Sequence, residues 1–367
     1  MRHPPQGGRD LTAGEYMDDL LDQATTIRSG EELDVGRLEP YLLEHLPGAS
    51  GSLEVSQFPR GFSNLTYLLK LGDQELVLRR PPFGANIKTA HDMGREYRIL
   101  TALKPVYDKV PEALLYCDNL EVIGAPFYVM RRLHGVILRN KPPRGLTREL
   151  MRGISNALVD ALVELHTLDY AKTGLSDLGK PEGYVGRQVS GWSKRYENAR
   201  TDDIPGMEQA MEWLAATMPA ESGTALIHND FKYDNLVLDE DNWTRVIAVL
   251  DWEMATLGDP LMDLGTTLGY WAESDDPPGL KSFGLTHLPG NLTRAELVQA
   301  YAGKTGADVS NIVFYYVFGL FKVGVIMQQI YARYQKGLTQ DTRFGALIQL
   351  IREIGQMIDK ALDTGKL

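Results

Sequence analysis

The sequence predicts an α+β protein of two lobes, an N-lobe with a five-stranded antiparallel sheet plus helices and a mainly α-helical C-lobe. Short strand-like runs with period-two alternation dominate the chain before Leu133. Longer helical runs dominate after Leu146. The length of 367 residues is enough for two lobes. We therefore predict a mobile tail over 1–14, an N-lobe over 15–133 and a C-lobe over 134–367.

Composition and charge narrow the function classes. Hydrophobic content of 43% and charged content of 24% are ordinary for a soluble globular protein. The formal net charge of −11 argues against general nucleic-acid binding and against anchoring on anionic membranes. The single cysteine, Cys117, allows no internal disulfide and indicates a reducing, cytoplasmic location. No signal peptide is visible, and Ile312–Met327, which contains Lys322, predicts a buried helix rather than a membrane span.

The predicted N-lobe begins with helices over 15–27 and 34–45, and a further helix is predicted over Thr89–Lys104. Gly72-Asp73 predicts a hairpin turn between two of the strands. The five predicted strands are Leu53–Phe58, Leu65–Leu71, Glu75–Arg80, Ala113–Cys117 and Pro126–Met130.

The third predicted strand carries two candidate nucleotide-binding residues. Period-two alternation places Val77 and Arg79 on one face and Arg80 on the other. Arg79 would contact phosphates and pair with Glu96 on the following helix, and Val77 would face adenine. The alternative is that Arg79 and Arg80 are solvated strand-end charges and that Glu96 is solvated or satisfied by Arg95 or another neighbouring arginine.

The segment Arg60-Gly61-Phe62-Ser63-Asn64 lies between the first two predicted strands. Backbone N–H groups around Gly61, Ser63 and Asn64 can fold over a phosphate. Since the segment contains a single glycine, an ordinary β-turn is the alternative interpretation.

Two apolar runs in the predicted C-lobe each end in a carboxylate. The first run precedes His228-Asn229-Asp230, with Lys232 and Asn235 following in the same loop, and the second precedes Asp251. An Asp followed five positions later by Asn, and then by a second Asp after a strand, is the spacing of a kinase catalytic loop and its metal-binding aspartate. The alternative is a polar turn between two strands.

Phosphoryl transfer explains why these residue types occur together. The reaction needs an acceptor hydroxyl held in line and the phosphate charge neutralised. Asp230 would orient the hydroxyl or accept its proton, and Lys232 would lie near the transferred phosphate of ATP. Asn235 and Asp251 would hold Mg²⁺, which prefers oxygen ligands.

The predicted C-lobe also contains helix caps, a carboxylate at a helix start, further helices and an acidic loop. Thr147 is a predicted N-cap, and Thr293 opens a predicted capping box. Asp263 either braces the catalytic loop or simply suits a helix N-terminus. Further helices are predicted, and Glu273, Asp275 and Asp276 are predicted to form a solvated loop. The further helices span Tyr184–Ala199, Met207–Met218, 309–335 and 342–362. The first two precede the catalytic loop and could wall the acceptor pocket.

These residues together resemble the aminoglycoside phosphotransferase-like (APH) small-molecule kinases, which are related to choline kinases and more distantly to protein kinases. The resemblance extends from about Gly61 to Tyr270. Within that group the chain is most similar to the kinase-type domain fused to acyl-CoA dehydrogenases and to its stand-alone bacterial relatives. The phrases that carry this similarity are Arg60-Gly61-Phe62-Ser63-Asn64-Leu65-Thr66 and His91-Asp92-Met93-Gly94-Arg95-Glu96-Tyr97-Arg98.

The resemblance implies a bilobal protein-kinase-like fold that binds ATP and Mg²⁺ at the inter-lobe cleft. It implies that Leu133 offers backbone hydrogen bonds to adenine and that Met130 borders the adenine pocket. It also implies a small-molecule hydroxyl substrate, with a hydroxyacyl group or hydroxyacyl-CoA as the suggested acceptor. Neither the resemblance nor the residue pattern indicates an oligomeric state.

Two alternative functions remain open at this point. One is an inactive kinase-like nucleotide-binding module, which the joint presence of Asp230, Asn235 and Asp251 disfavours. The other is a protein kinase. Asn229 stands where many protein kinases carry an arginine, Trp252-Glu253 replaces Phe-Gly, and no Ala-Pro-Glu follows. These departures argue against a protein kinase that is switched by loop phosphorylation.

Overall fold

The structure, a computed structural model, describes residues 23–59, 64–83, 92–339 and 341–367. The tail predicted over 1–14 and the predicted phosphate-loop residues Gly61 and Ser63 lie outside these ranges. The described residues divide into two compact units. The first unit contains the residues up to Tyr97 and Pro111–Ile137, and the second contains Arg98–Val110 and Leu138–Leu367.

Arg98–Val110 belongs to the second unit, although the sequence placed it in the N-lobe. Two contacts within that unit explain the assignment. The backbone N–H of Val249 donates a hydrogen bond to the carbonyl oxygen of Lys109 at 2.8 Å. The ring of Tyr107 also packs edge-on against Trp252, with 6.2 Å between ring centroids.

The first unit is built on a five-stranded antiparallel sheet, which confirms the predicted fold class for the described residues. The strand order is β1-β2-β3-β5-β4. Gly72 turns the chain between β2 and β3 at a φ of +57°, a conformation that glycine adopts without steric cost. The strands are β1 (Leu53–Gln57), β2 (Leu65–Leu71), β3 (Gln74–Arg80), β4 (Ala113–Cys117) and β5 (Phe127–Arg131).

One face of this sheet forms the core of the first unit. Leu76 and Leu78 point into that core, as the alternation in β3 predicts. Helix α1 (Val35–His45) adds Leu38 and Leu42, four residues apart on one helical face. The other first-unit helices are the start of α2 (Met93–Leu103) and the short α3 (Leu120–Ile123).

The helix predicted over 15–27 is wrong for the described residues 23–27, which are not helical. Thr25 instead forms an isolated antiparallel bridge with Gln57 of β1. The Thr25 N–H donates to the Gln57 carbonyl at 2.7 Å, and the Gln57 N–H donates to the Thr25 carbonyl at 2.9 Å. Because β1 is an edge strand, its unpaired backbone groups offer hydrogen bonds that outweigh a weak helical periodicity. The part from 15 to 22 lies outside the described residues.

The second unit is mainly helical and also carries two small antiparallel sheets. Strand β6 (Ala225–Ile227) pairs with β9 (Thr256–Gly258), and β7 (Leu236–Leu238) pairs with β8 (Val246–Val249). The helices are α4 (Arg148–His166), α5 (Tyr184–Ala199), α6 (Pro205–Ala216), α7 (Pro260–Tyr270), α8 (Pro278–Lys281), α9 (Arg294–Thr305), α10 (Ile312–Gln335) and α11 (Leu347–Thr364).

Helix α10 is the core helix of the second unit. It is long and apolar enough to cross a membrane by length and composition alone, but 72% of its most apolar window is buried inside the structure. Gly319 of α10 and Gly265 of α7 let the two helix backbones approach closely, because a Cβ at Gly319 would fall on the Gly265 carbonyl oxygen. Lys322 is buried in the same helix.

The prediction of a solvated acidic loop is wrong for Asp276, whose side chain is buried. Its carboxylate pairs with the buried guanidinium of Arg294, which also bonds to the hydroxyl of Tyr316. Arg294 is the first residue of α9 and so brings its charge to the preceding loop. A buried carboxylate requires such a partner, and the partner lies too far along the chain for local patterning to indicate it.

Candidate active site

The centre of the candidate site is the carboxylate of Asp230, which two side-chain nitrogens hold. Lys232 Nζ lies 3.0 Å from Oδ1 and 2.9 Å from Oδ2 of Asp230. Asn235 Nδ2 donates to Asp230 Oδ2 at 2.9 Å and to the Asp230 carbonyl oxygen at 2.8 Å. The structure thus brings together the three residues that the sequence placed in one catalytic loop.

The charge of Lys232 is tied to that of Asp230. Burial disfavours the ammonium, but the nearby Asp230 carboxylate outweighs this effect, and the pKa of Lys232 is raised well above its ordinary value. The ring of Tyr270 faces the same ammonium, with Nζ 4.5 Å from the ring centroid. Lys232 therefore stays protonated throughout the physiological pH range.

His228 joins the loop of Asp230 to the loop of Asp251. Its Nδ1 accepts a hydrogen bond from the backbone N–H of Asp230 at 3.3 Å. Its Nε2 therefore carries the proton and donates to the carbonyl oxygen of Leu250 at 3.0 Å. Burial lowers the pKa of His228, which keeps the ring neutral and preserves this tautomer. The Leu250 N–H also donates to the Asn235 carbonyl at 2.8 Å, so the two loops are fixed to each other.

Asp263 braces the catalytic loop from the first turn of α7. Its two carboxylate oxygens accept the backbone N–H groups of His228 and Asn229, each at 2.7 Å. His166 lies 3.1 Å from the same carboxylate through Nε2 and 2.8 Å from the Tyr301 hydroxyl through Nδ1. Burial raises the pKa of Asp263, but hydrogen bonding to His166 and to backbone N–H groups outweighs it and lowers the pKa. The bracing interpretation therefore accounts for these contacts, whereas a helix-dipole role alone does not.

The backbone of both loops passes through an unusual conformation. Asn229 and Asp251 each have a φ of +67°, in the left-handed region that non-glycine residues rarely occupy. Such residues persist where the surroundings fix them, often at functional sites. For Asn229 the surroundings include Lys322, whose Nζ donates to the Asn229 carbonyl at 2.7 Å, and Tyr184, whose hydroxyl bonds to the Asn229 amide side chain.

Lys322 was not predicted to belong to the site, and Tyr184 was predicted only as the start of a helix that could wall the acceptor pocket. In the sequence Lys322 is a single charge within an apolar run. A lone lysine in an otherwise apolar helix is itself a signal, because a buried charge needs a polar partner. Tyr184, at the start of α5, has no comparable signal in the sequence.

Asn235 and Asp251 fit the proposed role of magnesium ligands. Since Asn235 uses Nδ2 to hold Asp230, its amide is oriented so that Oδ1 is the atom that can bind a cation. Asp251 follows directly after Leu250, whose backbone is hydrogen-bonded to Asn235. Within the described ranges no group of three or more His, Cys, Asp and Glu side chains could hold a metal ion. A site made of one carboxylate, one amide oxygen and phosphate oxygens would not form such a group.

The described nucleotide-binding candidates lie in the first unit. Arg79 Nη1 lies 2.6 Å from Glu96 Oε1, and both side chains are buried, so neither is a solvated charge. Val77 of β3 is directly opposite Met130 of β5 in the sheet register. Asn64 is buried at 2% exposure, and Leu133 follows β5. Their roles in nucleotide binding stay predictions.

Solved structures share this fold. A candidate aminoglycoside phosphotransferase from Ralstonia eutropha matches with a TM-score of 0.76 and 31% identity, covering 90% of this chain and 99% of that one. A choline kinase from Cryptosporidium parvum matches with a TM-score of 0.58 and 13% identity over 89% of this chain and 98% of that one, which shows the fold alone. The first of these structures, at 31% identity, indicates a small-molecule phosphotransferase with a hydroxyl group as acceptor.

The sequence model of the APH family, the phosphotransferase enzyme family, matches residues 54–298. This range is more than half of the chain, and it includes both loops of the candidate site. The chain therefore belongs to the APH phosphotransferase enzyme family.

Several relatives in animals are named as acyl-CoA dehydrogenase family members. Mouse acyl-CoA dehydrogenase family member 10 is 37% identical over 301 residues, which cover 81% of this chain and 28% of that protein. Human acyl-CoA dehydrogenase family member 11 is 35% identical over 339 residues, which cover 90% of this chain and 43% of that protein. The chain thus spans less than half of the length of these relatives.

Proposed function

We propose that the chain transfers the γ-phosphate of ATP, with Mg²⁺, to a hydroxyl group of a small molecule. The observation that carries this proposal is the Asp230 carboxylate, held by Lys232 and Asn235 beside a loop that presents Asp251. A phosphotransferase needs this combination of a hydroxyl-orienting carboxylate and oxygen ligands for a metal.

Each residue of the candidate site has a separate proposed role in phosphoryl transfer. Asn235 Oδ1 and Asp251 would hold the metal ion, which neutralises phosphate charge when it is bound. Asp230 accepts a hydrogen bond from the acceptor hydroxyl and aligns its oxygen with the γ-phosphorus. As the new oxygen–phosphorus bond forms and the bond to ADP breaks, the hydroxyl proton passes to Asp230 and then to solvent. Lys232 keeps the Asp230 carboxylate fixed and places a positive charge beside it.

The nucleotide is proposed to bind to residues of the first unit. The buried Arg79, held by Glu96, supplies a fixed guanidinium for phosphate oxygens. A related protein, aminoglycoside phosphotransferase APH(4)-Ia, has been solved as a ternary complex with ADP and hygromycin B and matches this chain with a TM-score of 0.59. That match supports nucleotide use but carries no argument about the acceptor.

For the acceptor we propose a hydroxyacyl group, either as a free acid or as its CoA thioester. The support is the identity of 34–37% to relatives named acyl-CoA dehydrogenase family members 10 and 11. A kinase-type domain that is fused to an enzyme of acyl-CoA chemistry is expected to act on a chemically related molecule.

The experiment that tests the function is a screen for ADP formation with Mg·ATP. Hydroxy acids, hydroxyacyl-CoAs, amino alcohols and aminoglycosides are the acceptor panels. Asp230→Ala is expected to lower turnover by about 10²-fold or more while leaving ATP affinity nearly unchanged, because this side chain meets the acceptor. The matched control is Asp241→Ala, which removes an exposed aspartate from the turn between β7 and β8. Full activity of Asp230→Ala on the true acceptor would falsify the assignment of the catalytic loop.

Asp251→Ala distinguishes the metal role from the acceptor role. It is expected to weaken Mg·ATP binding as well as turnover, because it removes a charged oxygen ligand. Titration calorimetry with and without Mg²⁺ measures this difference. Nucleotide binding without transfer to any acceptor would instead identify an inactive nucleotide-binding module.

A further inference from the structure

A cavity of about 430 Å³ lies beside the catalytic loop, within the second unit. Tyr184 and Trp192 of α5, Asn229 of the catalytic loop and Met254 contribute to its wall. Asn229 is the residue directly before Asp230, so the cavity reaches the loop that carries the proposed hydroxyl-orienting group. The inference drawn from this cavity rests on the proposed function and specifies the chemical class of the acceptor.

The charge of the cavity is opposite to that of the whole chain. Four of the ten described lining residues are cationic, Lys180, Arg187, Arg195 and Lys322, and none of the described lining residues is acidic. The chain as a whole has 49 acidic and 38 basic residues. A concave surface with four cations and no lining carboxylate therefore concentrates positive potential within an acidic protein.

The described contacts do not neutralise these cations. The guanidinium of Arg187 donates to the backbone carbonyls of Lys180 and Glu182, which orient it without cancelling its charge. Among the residues that the structure describes, no carboxylate forms a salt bridge within 4.0 Å of Lys180, Arg187, Arg195 or Lys322. Three of the cations thus remain available to a ligand from the exposed side, and Lys322 lies at the buried side.

Two of the cations converge on one aromatic ring. The guanidinium carbon of Arg195 lies 4.7 Å from the centroid of the Trp192 ring, and Lys322 Nζ lies 5.7 Å from the same centroid. Like charges that share one aromatic ring repel each other, and an anion bound near both reduces the repulsion. Lys322 also donates to the Asn229 carbonyl, which links this cluster to the catalytic loop.

We propose that the cavity binds a negatively charged group of the acceptor, a carboxylate or a phosphate, through Arg187, Arg195 and Lys180. Lys322 adds positive potential from the buried side, and Trp192 and Met254 offer apolar surface to the carbon chain. The same charges repel polycations. The chain therefore selects an anionic hydroxyl compound and rejects aminoglycosides and choline, the molecules that give several structural neighbours their names.

The test measures binding without turnover, by titration calorimetry on the full chain. Mg·ADP is kept saturating so that the nucleotide part of coenzyme A does not occupy the nucleotide site. The anionic probes are coenzyme A and 3-hydroxybutyrate, which separate a phosphate source from a carboxylate source. Choline and kanamycin are the cationic probes.

The decisive variants are Arg187→Gln and Arg195→Gln, singly and together. We expect the double variant to weaken binding of the anionic probe about tenfold, because two partly exposed charge contacts are lost. Lys194→Gln is the matched control, since Lys194 is an exposed cation on the same helix that does not line the cavity. Probe affinity in wild type should also fall as the salt concentration rises.

Failure of the proposed anion site and failure of the proposed function give different experimental results. The proposal is overturned if neither anion binds at millimolar concentration, if choline or kanamycin binds more tightly than both anions, or if the double variant binds like Lys194→Gln. Loss of anion binding in the double variant supports it. Anion binding without phosphotransfer to any acceptor would count against the proposed function and leave the anion site in place.

Discussion

Lys322 is a charged side chain inside a core helix, and its surroundings make the stability of the chain depend on pH. Burial lowers the pKa of Lys322 to about 8, from an ordinary value of 10.5. The carboxylates of Asp263 and Asp230 act against this shift, whereas Lys232 and Arg195 add to it. Because the folded-state pKa is lower than the unfolded-state pKa, the folded state binds fewer protons between pH 8 and 10.5. The penalty for burying the charge is complete below pH 8 and decreases as the pH rises above 8.

Lys322→Met tests this pH dependence. The free energy of unfolding of the wild type, relative to that of the variant, should rise between pH 8 and 9.5 with a slope of at most about 1.4 kcal/mol per pH unit. Below pH 8 the difference should be constant and should include the lost hydrogen bond to Asn229. Urea denaturation at pH 7, 8 and 9.5 measures it.

The control for this prediction is Lys336→Met, which removes an exposed lysine directly after the same helix. It accounts for the change in net charge. Parallel pH profiles for wild type and Lys322→Met would show that Lys322 does not change its protonation on unfolding in this range.

At the scale of elements, the crossing of α7 and α10 positions two groups at the catalytic loop. Helix α7 carries Asp263, which binds two loop N–H groups, and α10 carries Lys322, which binds the Asn229 carbonyl. The closest approach is at Gly265 and Gly319, where the backbones leave no space for a side chain. The distance between these helices therefore determines where Asp263 and Lys322, the two groups that hold the catalytic loop, are placed.

Gly319→Ala should separate the two helices. The added Cβ meets the carbonyl group of Gly265 and the backbone nitrogen of Thr266, and neither can move aside like a flexible side chain. We expect the free energy of unfolding to fall by about 1–3 kcal/mol and turnover to fall because Asp263 and Lys322 shift. Urea denaturation and steady-state kinetics measure the two effects.

Gly303→Ala is the matched control for that substitution. Gly303 is an exposed residue within α9, and a Cβ there has nothing within 4 Å. Since alanine is the better helix former, Gly303→Ala should leave activity unchanged and raise stability by up to about 1 kcal/mol. Equal stability losses in the two variants would contradict the role assigned to the crossing.

Elements that depend on near neighbours could be predicted from the sequence. The Thr147 hydroxyl accepts the Leu150 N–H at 3.1 Å, and Thr293 forms the predicted capping box with Glu296. Helix α5 has the predicted bounds. Capping residues and hydrophobic periodicity act within a few positions of the chain, so they are visible without the fold.

The contacts of the candidate site are likewise of two kinds, those between near positions of the chain and those between distant positions. Asp230 contacts residues two and five positions away, and the loop spacing predicts that cluster. Lys322 reaches Asn229 across 93 positions, and Asp263 reaches His228 across 35. The cations of the cavity come from a loop, one face of α5 and the interior of α10, and no periodicity in the sequence relates these three places. Contacts of this kind require the fold.

At the scale of the whole molecule, the proposed chemistry is divided between two units. The described nucleotide-binding candidates Val77, Arg79, Glu96 and Met130 belong to the first unit, and Asp230, Lys232, Asn235 and Asp251 belong to the second. The first group is expected to determine nucleotide affinity, and within the second Asp230 is expected to determine turnover. Variants of the first-unit group and variants of Asp230 should therefore change different kinetic parameters.

Arg79→Met is the variant that tests this division. It removes the guanidinium proposed for the phosphates and leaves the buried Glu96 carboxylate without this partner. The dissociation constant for Mg·ATP should rise about tenfold or more, because a charge-assisted contact is lost. Arg79→Met/Glu96→Gln should recover part of the stability lost in the single variant, since it also removes the buried charge, but not the nucleotide affinity.

Arg131→Met is the control for Arg79→Met, and Asp230→Asn is the contrasting variant from the second unit. Arg131 ends β5 of the same sheet, is about half exposed and pairs with Glu112, so its loss should change neither nucleotide affinity nor turnover. Asp230→Asn should lower turnover at unchanged nucleotide affinity, the reverse of Arg79→Met. If Arg79→Met lowered turnover at saturating ATP while its dissociation constant for Mg·ATP stayed at the wild-type value, Arg79 would not be a nucleotide-binding residue. The first unit would then contribute to the reaction through something other than phosphate binding by this strand.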